Sequence, residues 1–177
     1  EKRLWHDAPV ESNEARIHPA EMVKLLSAEL PPGAIVLGDA GSHMLWLNCY
    51  LHLTGGQRYQ NPGSFGPMAS HTNAAIGVKC AHPDRVVIAG SGDGCYLMSG
   101  FELLTAVEYD IPVVWIVFNN GEFNIIKKFL LNVFGDHAYM QFRNPDFVAY
   151  ARACGALGLR VERLQDFPGA LRESIAS

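Results

Sequence analysis

Short apolar runs alternate with segments of helical periodicity along most of this chain. Buried-strand runs are predicted at residues 34–38, 85–90, 113–118 and 158–162. Around them, apolar residues recur at the three- and four-residue spacing of amphipathic helices. Segments with this spacing are residues 20–30, 44–53, 70–81, 95–111, 123–133, 145–154 and 163–177, whereas residues 54–70 are rich in glycine and proline and are predicted to be a loop. The alternation predicts an α/β fold: a doubly wound, mostly parallel sheet with helices on both faces.

Length and composition restrict the class of protein only modestly. The 177 residues suit one domain, with 49% hydrophobic and 18% charged residues, and the net charge of −4 argues against nucleic acid as a partner. The four cysteines show no C-x-x-C spacing, so neither a zinc site nor a disulfide scaffold is predicted. No apolar run reaches membrane-spanning length and no signal peptide is visible, so a cytoplasmic protein without a membrane partner is expected.

The ends of the chain suggest a part of something longer. The sequence begins with Glu1, and residues 1–17 are mixed polar and charged, as in a linker. We therefore expect an entry segment over residues 1–17 and one domain over residues 18–177, as a fragment of a longer multidomain chain.

Candidate chemistry lies directly after two of the predicted strands. Gly92-Asp93-Gly94 follows the strand at 85–90, and Asn120 follows the strand at 113–118. In an open α/β sheet, ligands bind at the carboxyl ends of the strands. The Asp93 carboxylate, the Asn120 amide oxygen and the backbone carbonyl of Glu122 form an oxygen-only set suited to Mg²⁺ or Ca²⁺ bound to phosphate. Gly92 and Gly94 permit close backbone approach, and the following helix start favours anions.

A second strand–glycine loop–helix unit makes another candidate anion site. Gly41, Ser42 and His43 open the helix that follows the strand at 34–38. Two structural alternatives stay open. Asp-Gly is a common turn pair, and His43 also suits a helix cap or a buried structural position.

The spacing of the two main motifs resembles that of the thiamine diphosphate (ThDP) enzymes. The signature of that family is Gly-Asp-Gly, about two dozen residues, then Asn-Asn; here 24 residues (95–118) separate Gly94 from Asn119. The resemblance extends from about Ile17 to the end and is closest to the acetolactate (acetohydroxyacid) synthase group. It implies the C-terminal, diphosphate-binding domain of a multidomain enzyme with ThDP and Mg²⁺ as cofactors.

The resemblance also implies roles for individual residues. Gly66 would accept a hydrogen bond from the aminopyrimidine and Met68 would hold the bent cofactor, although Met68 also suits a core gap-filler. Cys95 would lie near the phosphate, although a structural thiol is the simpler interpretation. Residues 69–75 depart from the family's Gly-Leu-Pro pattern, so the pocket wall is expected to differ. The implied cofactor residues are Gly41, Ser42, His43, Gly66, Met68, Gly92, Asp93, Gly94, Cys95 and Asn120, with Asp93, Asn120 and Glu122 holding the metal.

The activity implied by the resemblance is decarboxylation of a 2-oxo acid and transfer of the resulting C2 unit. The glutamate that activates the cofactor in this family lies on the pyrimidine-binding domain of a second subunit. We therefore expect no catalytic residue in this segment, no activity from the isolated piece, and a complete enzyme that is a homodimer or homotetramer. The family's last strand is not in the sequence, which predicts reduced stability or pairing with another chain at that sheet position.

Two other functions remain open. One is a different ThDP reaction on a 2-oxo acid, catalysed by a decarboxylase, an oxidase or a lyase. The other is a nucleotide-binding module without catalysis. The chain contains no G-x-G-x-x-G and no lysine after a glycine loop, which disfavours the nucleotide-binding module.

Overall fold

The computed structural model describes residues 16–177 as an α/β fold, as the sequence pattern predicts. The strands are β1 (Ile35–Gly38), β2 (Arg58–Gln60), β3 (Val87–Gly92) and β4 (Val114–Phe118). The helices are α1 (Pro19–Glu29), α2 (Ser42–Tyr50), α3 (Ser70–Ala81), α4 (Asp93–Ser99), α5 (Glu102–Glu108), α6 (Asn124–Phe134), α7 (Phe147–Ala153) and α8 (Phe167–Ala176), with a 3-10 turn at Leu164–Asp166. Most of the predicted entry segment, residues 1–15, lies outside the described residues.

The four strands form one parallel sheet in the order β2-β1-β3-β4. From β1 the chain crosses to β2 on one side and then returns to β3 on the other. The connections that leave β1 and β3 therefore run to opposite sides of the sheet, and a switch point of this kind is where open α/β sheets form a crevice for ligands. The loops after β1 and β3 both open into it.

Each face of the sheet carries its own core, because alternate strand residues point to opposite faces. Val36 and Ile88 belong to the larger core, with α1, α2 and α8. Leu37 and Ala89 belong to the smaller core, which packs against α3. Helices thus cover both faces.

Three details of the predicted pattern are wrong. Residues 158–162 form no strand, although their apolar residues alternate as in one. The predicted loop at 54–70 contains β2, which pairs with β1 through residues 58–60. The single helix predicted after Gly94 is divided into α4 and α5 at Gly100, where a Cβ would lie 2.8 Å from the Tyr96 backbone oxygen.

Among the described residues, β4 pairs only with β3 and has a free edge. All five of its residues are partly exposed, whereas all four of β1 are buried. Cavities of about 800 and 240 Å³ lie beside β4, and both are lined by Val114, Leu159 and Val161. The apolar residues of 158–162 therefore face β4 without forming a ladder with it. Pairing of this edge with another strand stays a prediction.

No helix within residues 16–177 combines the length and the apolar character needed to cross a bilayer.

Candidate functional site

Asp93 lies at the carboxyl end of β3 with both carboxylate oxygens bonded. Its side chain is buried, and its Oδ1 accepts a hydrogen bond from the Gly94 amide at 2.8 Å. Its Oδ2 accepts from the backbone amides of Asn120 at 2.9 Å and Gly121 at 2.6 Å. A third donor to Oδ2 is the Asn144 side-chain amide at 2.8 Å. The ends of β3 and β4 are therefore joined through one carboxylate.

The segment after β4 turns sharply beside Asp93. Gly121 has a φ of +67°, which favours glycine, and the amide of Glu122 donates to the Asn120 side chain at 3.3 Å. The backbone carbonyl of Glu122 accepts from the Asn124 amide at 2.9 Å. An antiparallel bridge between Glu122 and Gln141 holds this segment against the loop that precedes α7. Two of the predicted metal ligands, the Asn120 side-chain oxygen and the Glu122 backbone carbonyl, thus lie in one short turn that hydrogen bonds hold in place.

The Glu122 side chain points into a small polar network. Its carboxylate forms an ion pair with Lys127 at 2.6 Å and accepts from the Asn124 amide at 2.6 Å. The Lys127 hydrogen bond is the main reason that the pKa of Glu122 is lowered. Asn124 in turn accepts from the Ser42 hydroxyl at 3.2 Å. Lys127 is therefore paired rather than solvated on an open helix face, and the start of α6 is tied to the start of α2.

His43 lies buried in the first turn of α2, between the two glycine loops. Its Nε2 accepts a hydrogen bond from the Gly92 amide at 3.1 Å, so the proton of the neutral ring is on Nδ1. Burial lowers its pKa to about 4, against the opposing charges of Asp39 and Asp93. Gly41, with a φ of +144°, leaves room for the ring, because a Cβ there would lie 2.7 Å from His43 Cε1. His43 is thus a neutral, buried histidine at the junction of the loops, and its contact with a phosphate stays a prediction.

The Cys95 side chain is buried and hydrogen-bonded to the loop after β1. Its thiol donates to the Ala40 carbonyl at 3.0 Å. Burial is the main reason that its pKa is raised to about 12, so it remains a thiol at neutral pH. The side chain therefore links the loop after β1 to α4, and only the backbone of Cys95 is suited to bind an anion.

The loop that holds Gly66 and Met68 lies beside the start of α4. Gly66 has a φ of +57°, a left-handed conformation that favours glycine. A Cβ on Gly94 would lie 3.4 Å from Met68 Cε and 2.7 Å from Phe123 Cε1. Met68 and Phe123 therefore wall the space over Gly94, and the structure brings the predicted pyrimidine residue next to the predicted diphosphate loop.

Two site residues were missed by the sequence reasoning. Asn144 comes from the loop before α7 and binds Asp93 across 51 positions of sequence. Asp39 is fully buried after β1 and accepts hydrogen bonds from the Ala40 amide at 2.7 Å and the Thr72 amide at 2.8 Å. The sequence did indicate Asp39 as a site residue, since it is a carboxylate directly after a buried strand. There was no such indication for Asn144, since no motif spacing connects it to Asp93.

The donor chemistry at the end of the sheet fits a magnesium diphosphate. Among residues 16–177, no three His, Cys, Asp or Glu side chains cluster as metal ligands. The available oxygens are instead one carboxylate, one amide and one backbone carbonyl, from Asp93, Asn120 and Glu122. Such a set leaves most of an octahedral shell to phosphate oxygens and water, which is how proteins bind Mg²⁺ with phosphorylated ligands.

A parallel sheet with glycine loops and a hydrogen-bonded carboxylate at its switch point is typical of α/β proteins that bind phosphorylated ligands at the carboxyl ends of their strands. The family comparison makes the class specific. Residues 39–177 match the family model described as "Thiamine pyrophosphate enzyme, C-terminal TPP binding domain". The chain belongs to this family, close to its acetolactate synthase-like members.

Similar proteins carry three different activities in their names. The chain is 33% identical over 160 residues to sulfoacetaldehyde acetyltransferase of Alcaligenes xylosoxydans xylosoxydans, covering 90% of this chain and 26% of that protein. It is 31% identical over 177 residues to acetolactate synthase of Bacillus subtilis, covering 98% and 31%. The solved ThDP-dependent 4-hydroxybenzoylformate decarboxylase of Rhodococcus jostii RHA1 superposes with a TM-score of 0.84 at 30% identity, covering 97% and 32%. The chain thus spans no more than about a third of these relatives.

Proposed function

We propose that this chain binds ThDP through Mg²⁺, as the C-terminal domain of an acetolactate synthase-like enzyme that decarboxylates a 2-oxo acid and transfers the C2 unit. The observation that carries the proposal is the Asp93 carboxylate, held between the ends of β3 and β4 within the matched family segment. When bound, the cofactor would supply the thiazolium ring and the electron sink that decarboxylation of a 2-oxo acid requires.

The residues of this chain have the tasks of binding and orientation. Asp93, Asn120 and the Glu122 carbonyl would hold the metal. The start of α2 would offer backbone N–H groups to an anion, since no side chain among the described residues caps that helix at Gly41. Met68 and Phe123 would wall the space above Gly94 and exclude water from it.

The activating glutamate and the rest of the pocket would come from the pyrimidine-binding domain of a second subunit. Large apolar side chains on α4 and in the turn between α4 and α5 support such a partner: Met98 is 65% exposed and Phe101 is 72% exposed. Exposed apolar patches of this kind mark interfaces. We therefore propose a homodimer or homotetramer as the active form, in the cytoplasm, and an inactive isolated segment. Measurable decarboxylation of pyruvate by the 177-residue piece alone would contradict this.

The alternative is a ThDP enzyme that releases an aldehyde instead of transferring the C2 unit. This alternative is supported by the similarity to the solved decarboxylase, with its TM-score of 0.84. Product analysis of the full-length protein with pyruvate decides between them: acetolactate indicates transfer and acetaldehyde indicates simple decarboxylation.

The test of the binding proposal is calorimetric titration of the full-length protein with ThDP, with and without Mg²⁺, beside Asp93→Ala and Asp84→Ala. Asp84 is an exposed aspartate at the opposite end of the sheet, before β3, and serves as the matched control. We expect Mg²⁺-dependent binding in the wild type and in Asp84→Ala, and its loss in Asp93→Ala. Equal binding by all three proteins, or no binding by the wild type, would refute the proposal.

A further inference from the structure

Asn144 contacts Asp93 although no sequence motif connects the two residues. It lies in the loop that precedes α7, and its side-chain nitrogen donates two hydrogen bonds. One goes to Asp93 Oδ2 at 2.8 Å and the other to Asn119 Oδ1 at 2.7 Å. A single amide group therefore joins the polar cluster after β3 to the cluster after β4.

The two oxygens of Asp93 are used unequally. Its Oδ2 accepts from Asn120, Gly121 and Asn144, whereas Oδ1 accepts only from the adjacent Gly94 amide among the described residues. A carboxylate oxygen has about two lone-pair directions, so three donors saturate Oδ2 and leave Oδ1 with room for a cation. Among residues 16–177, Asn144 supplies the one side-chain donor in this set.

The other end of the Asn144 amide is left without a partner. Its Oδ1 is buried and accepts no hydrogen bond from the residues that the structure describes. An unsatisfied buried acceptor costs about 1–3 kcal/mol. Rotating the amide by half a turn would set its oxygen against two other oxygens with no proton between them. The two acceptors therefore fix the amide orientation, and the fold tolerates an unpaired oxygen to keep both bonds.

We propose that Asn144 is a positioning residue of the cation site. It acts through Asp93, whose Oδ2 it anchors so that Oδ1 is directed to Mg²⁺, and it holds Asn119 in register with that carboxylate. The inference rests on the proposed function, because it assigns Asn144 to the same magnesium site. Residues that orient a metal ligand typically change metal affinity by about 10–100-fold when they are removed.

The experiment measures the apparent dissociation constant for Mg²⁺ by calorimetry at the same fixed excess of ThDP in every titration, on the full-length protein. The variants are Asn144→Ala and the control Asp146→Ala. Asp146 lies in the same loop and caps α7 by accepting from the amides of Val148 at 2.9 Å and Ala149 at 3.1 Å, without contacting Asp93. Removal of the Asp146 side chain perturbs the loop and the start of α7, but it removes none of the hydrogen bonds to Asp93. Thermal unfolding of both variants without ligand reports the purely structural effect.

We expect Asn144→Ala to bind Mg²⁺ about 10-fold more weakly or worse, while Asp146→Ala keeps the wild-type affinity despite a lower melting temperature. An Asn144→Ala affinity within about twofold of wild type overturns the inference, given that range. Equal weakening in the two variants overturns it too, since loop disorder would then be the cause. Failure of the wild type to bind ThDP with Mg²⁺ would instead overturn the proposed function beneath it.

Discussion

The buried histidine at the junction of the glycine loops predicts a specific dependence of stability on pH. His43 is 6% exposed, and burial lowers its pKa to about 4 from an ordinary value of 6.5. Between these two values the unfolded chain takes up the proton and the folded chain does not. His43 therefore makes its full contribution to the free energy of unfolding above about pH 6.5. That contribution decreases as the pH falls towards 4.

The size of the effect follows from the two pKa values. Integrating proton uptake from about pH 7.5 to about pH 5.0 gives a loss of about 2 kcal/mol from His43 alone. A matched variant isolates it: in His43→Gln the side-chain oxygen can still accept from the Gly92 amide, and the residue does not titrate. His71, whose pKa burial also lowers, is present in both proteins and cancels in the difference.

The assay is urea unfolding of wild type and His43→Gln at about pH 7.5, 6.5, 5.5 and 5.0. We expect the stability difference between them to shift by about 2 kcal/mol against the wild type across this range. A difference that stays constant within about 0.5 kcal/mol would mean that His43 is protonated in the folded protein or is solvated. Either result would refute the argument from burial.

Two further predictions concern the buried carboxylate after β1 and the free edge of the sheet. Asp39→Ala leaves the amides of Ala40 and Thr72 and the Thr72 hydroxyl without their acceptor, so we expect a loss of roughly 3 kcal/mol or more in the free energy of unfolding, measured by urea denaturation. The exposed Asp84→Ala is the control and should stay within about 0.5 kcal/mol of wild type; a similar loss in both variants would contradict the role of the Asp39 bonds. For the sheet, β1 is paired on both sides and β4 on one, so amides of β4 should exchange with deuterium faster than those of β1 in the purified 177-residue chain. Equal protection of the two strands would show that another segment or a second chain covers the β4 edge.

The central strands were predictable because strands that are buried on both faces have a recognisable sequence pattern. β1 and β3 are buried on both faces, and such strands appear as continuous apolar runs. β2 escaped prediction because Arg58-Tyr59-Gln60 is a short, polar edge strand, which within residues 16–177 pairs only with β1. Residues 158–162 were wrongly predicted as a strand because their apolar residues alternate as they do in one. Their alternation reports that Leu159 and Val161 face an apolar space, but a ladder also needs an adjacent backbone, which sequence alternation does not report.

The site was predictable where chemistry coincided with strand ends. Asp93 and Asn120 follow buried strands directly, and in a parallel sheet those ends meet at one edge, so sequence position alone placed them together. Asn144 could not be placed in this way. It reaches Asp93 from a loop that is held by an antiparallel bridge at Glu122 and Gln141, and that bridge depends on tertiary structure.

The charges around the crevice predict that a diphosphate would need a metal ion in order to bind there. Asp39 and Asp93 are buried on either side of it, and His43 between them is kept neutral by burial. Lys127, the cation bonded at the start of α6, is already paired with Glu122 at 2.6 Å. The backbone N–H groups at the start of a helix stabilise a bound anion by about 1 kcal/mol. This attraction is small compared with the repulsion between the anion and two nearby carboxylates. The positive charge that a diphosphate requires would therefore come mainly from the divalent cation, and ThDP without Mg²⁺ should bind weakly even when every glycine of the cradle is intact.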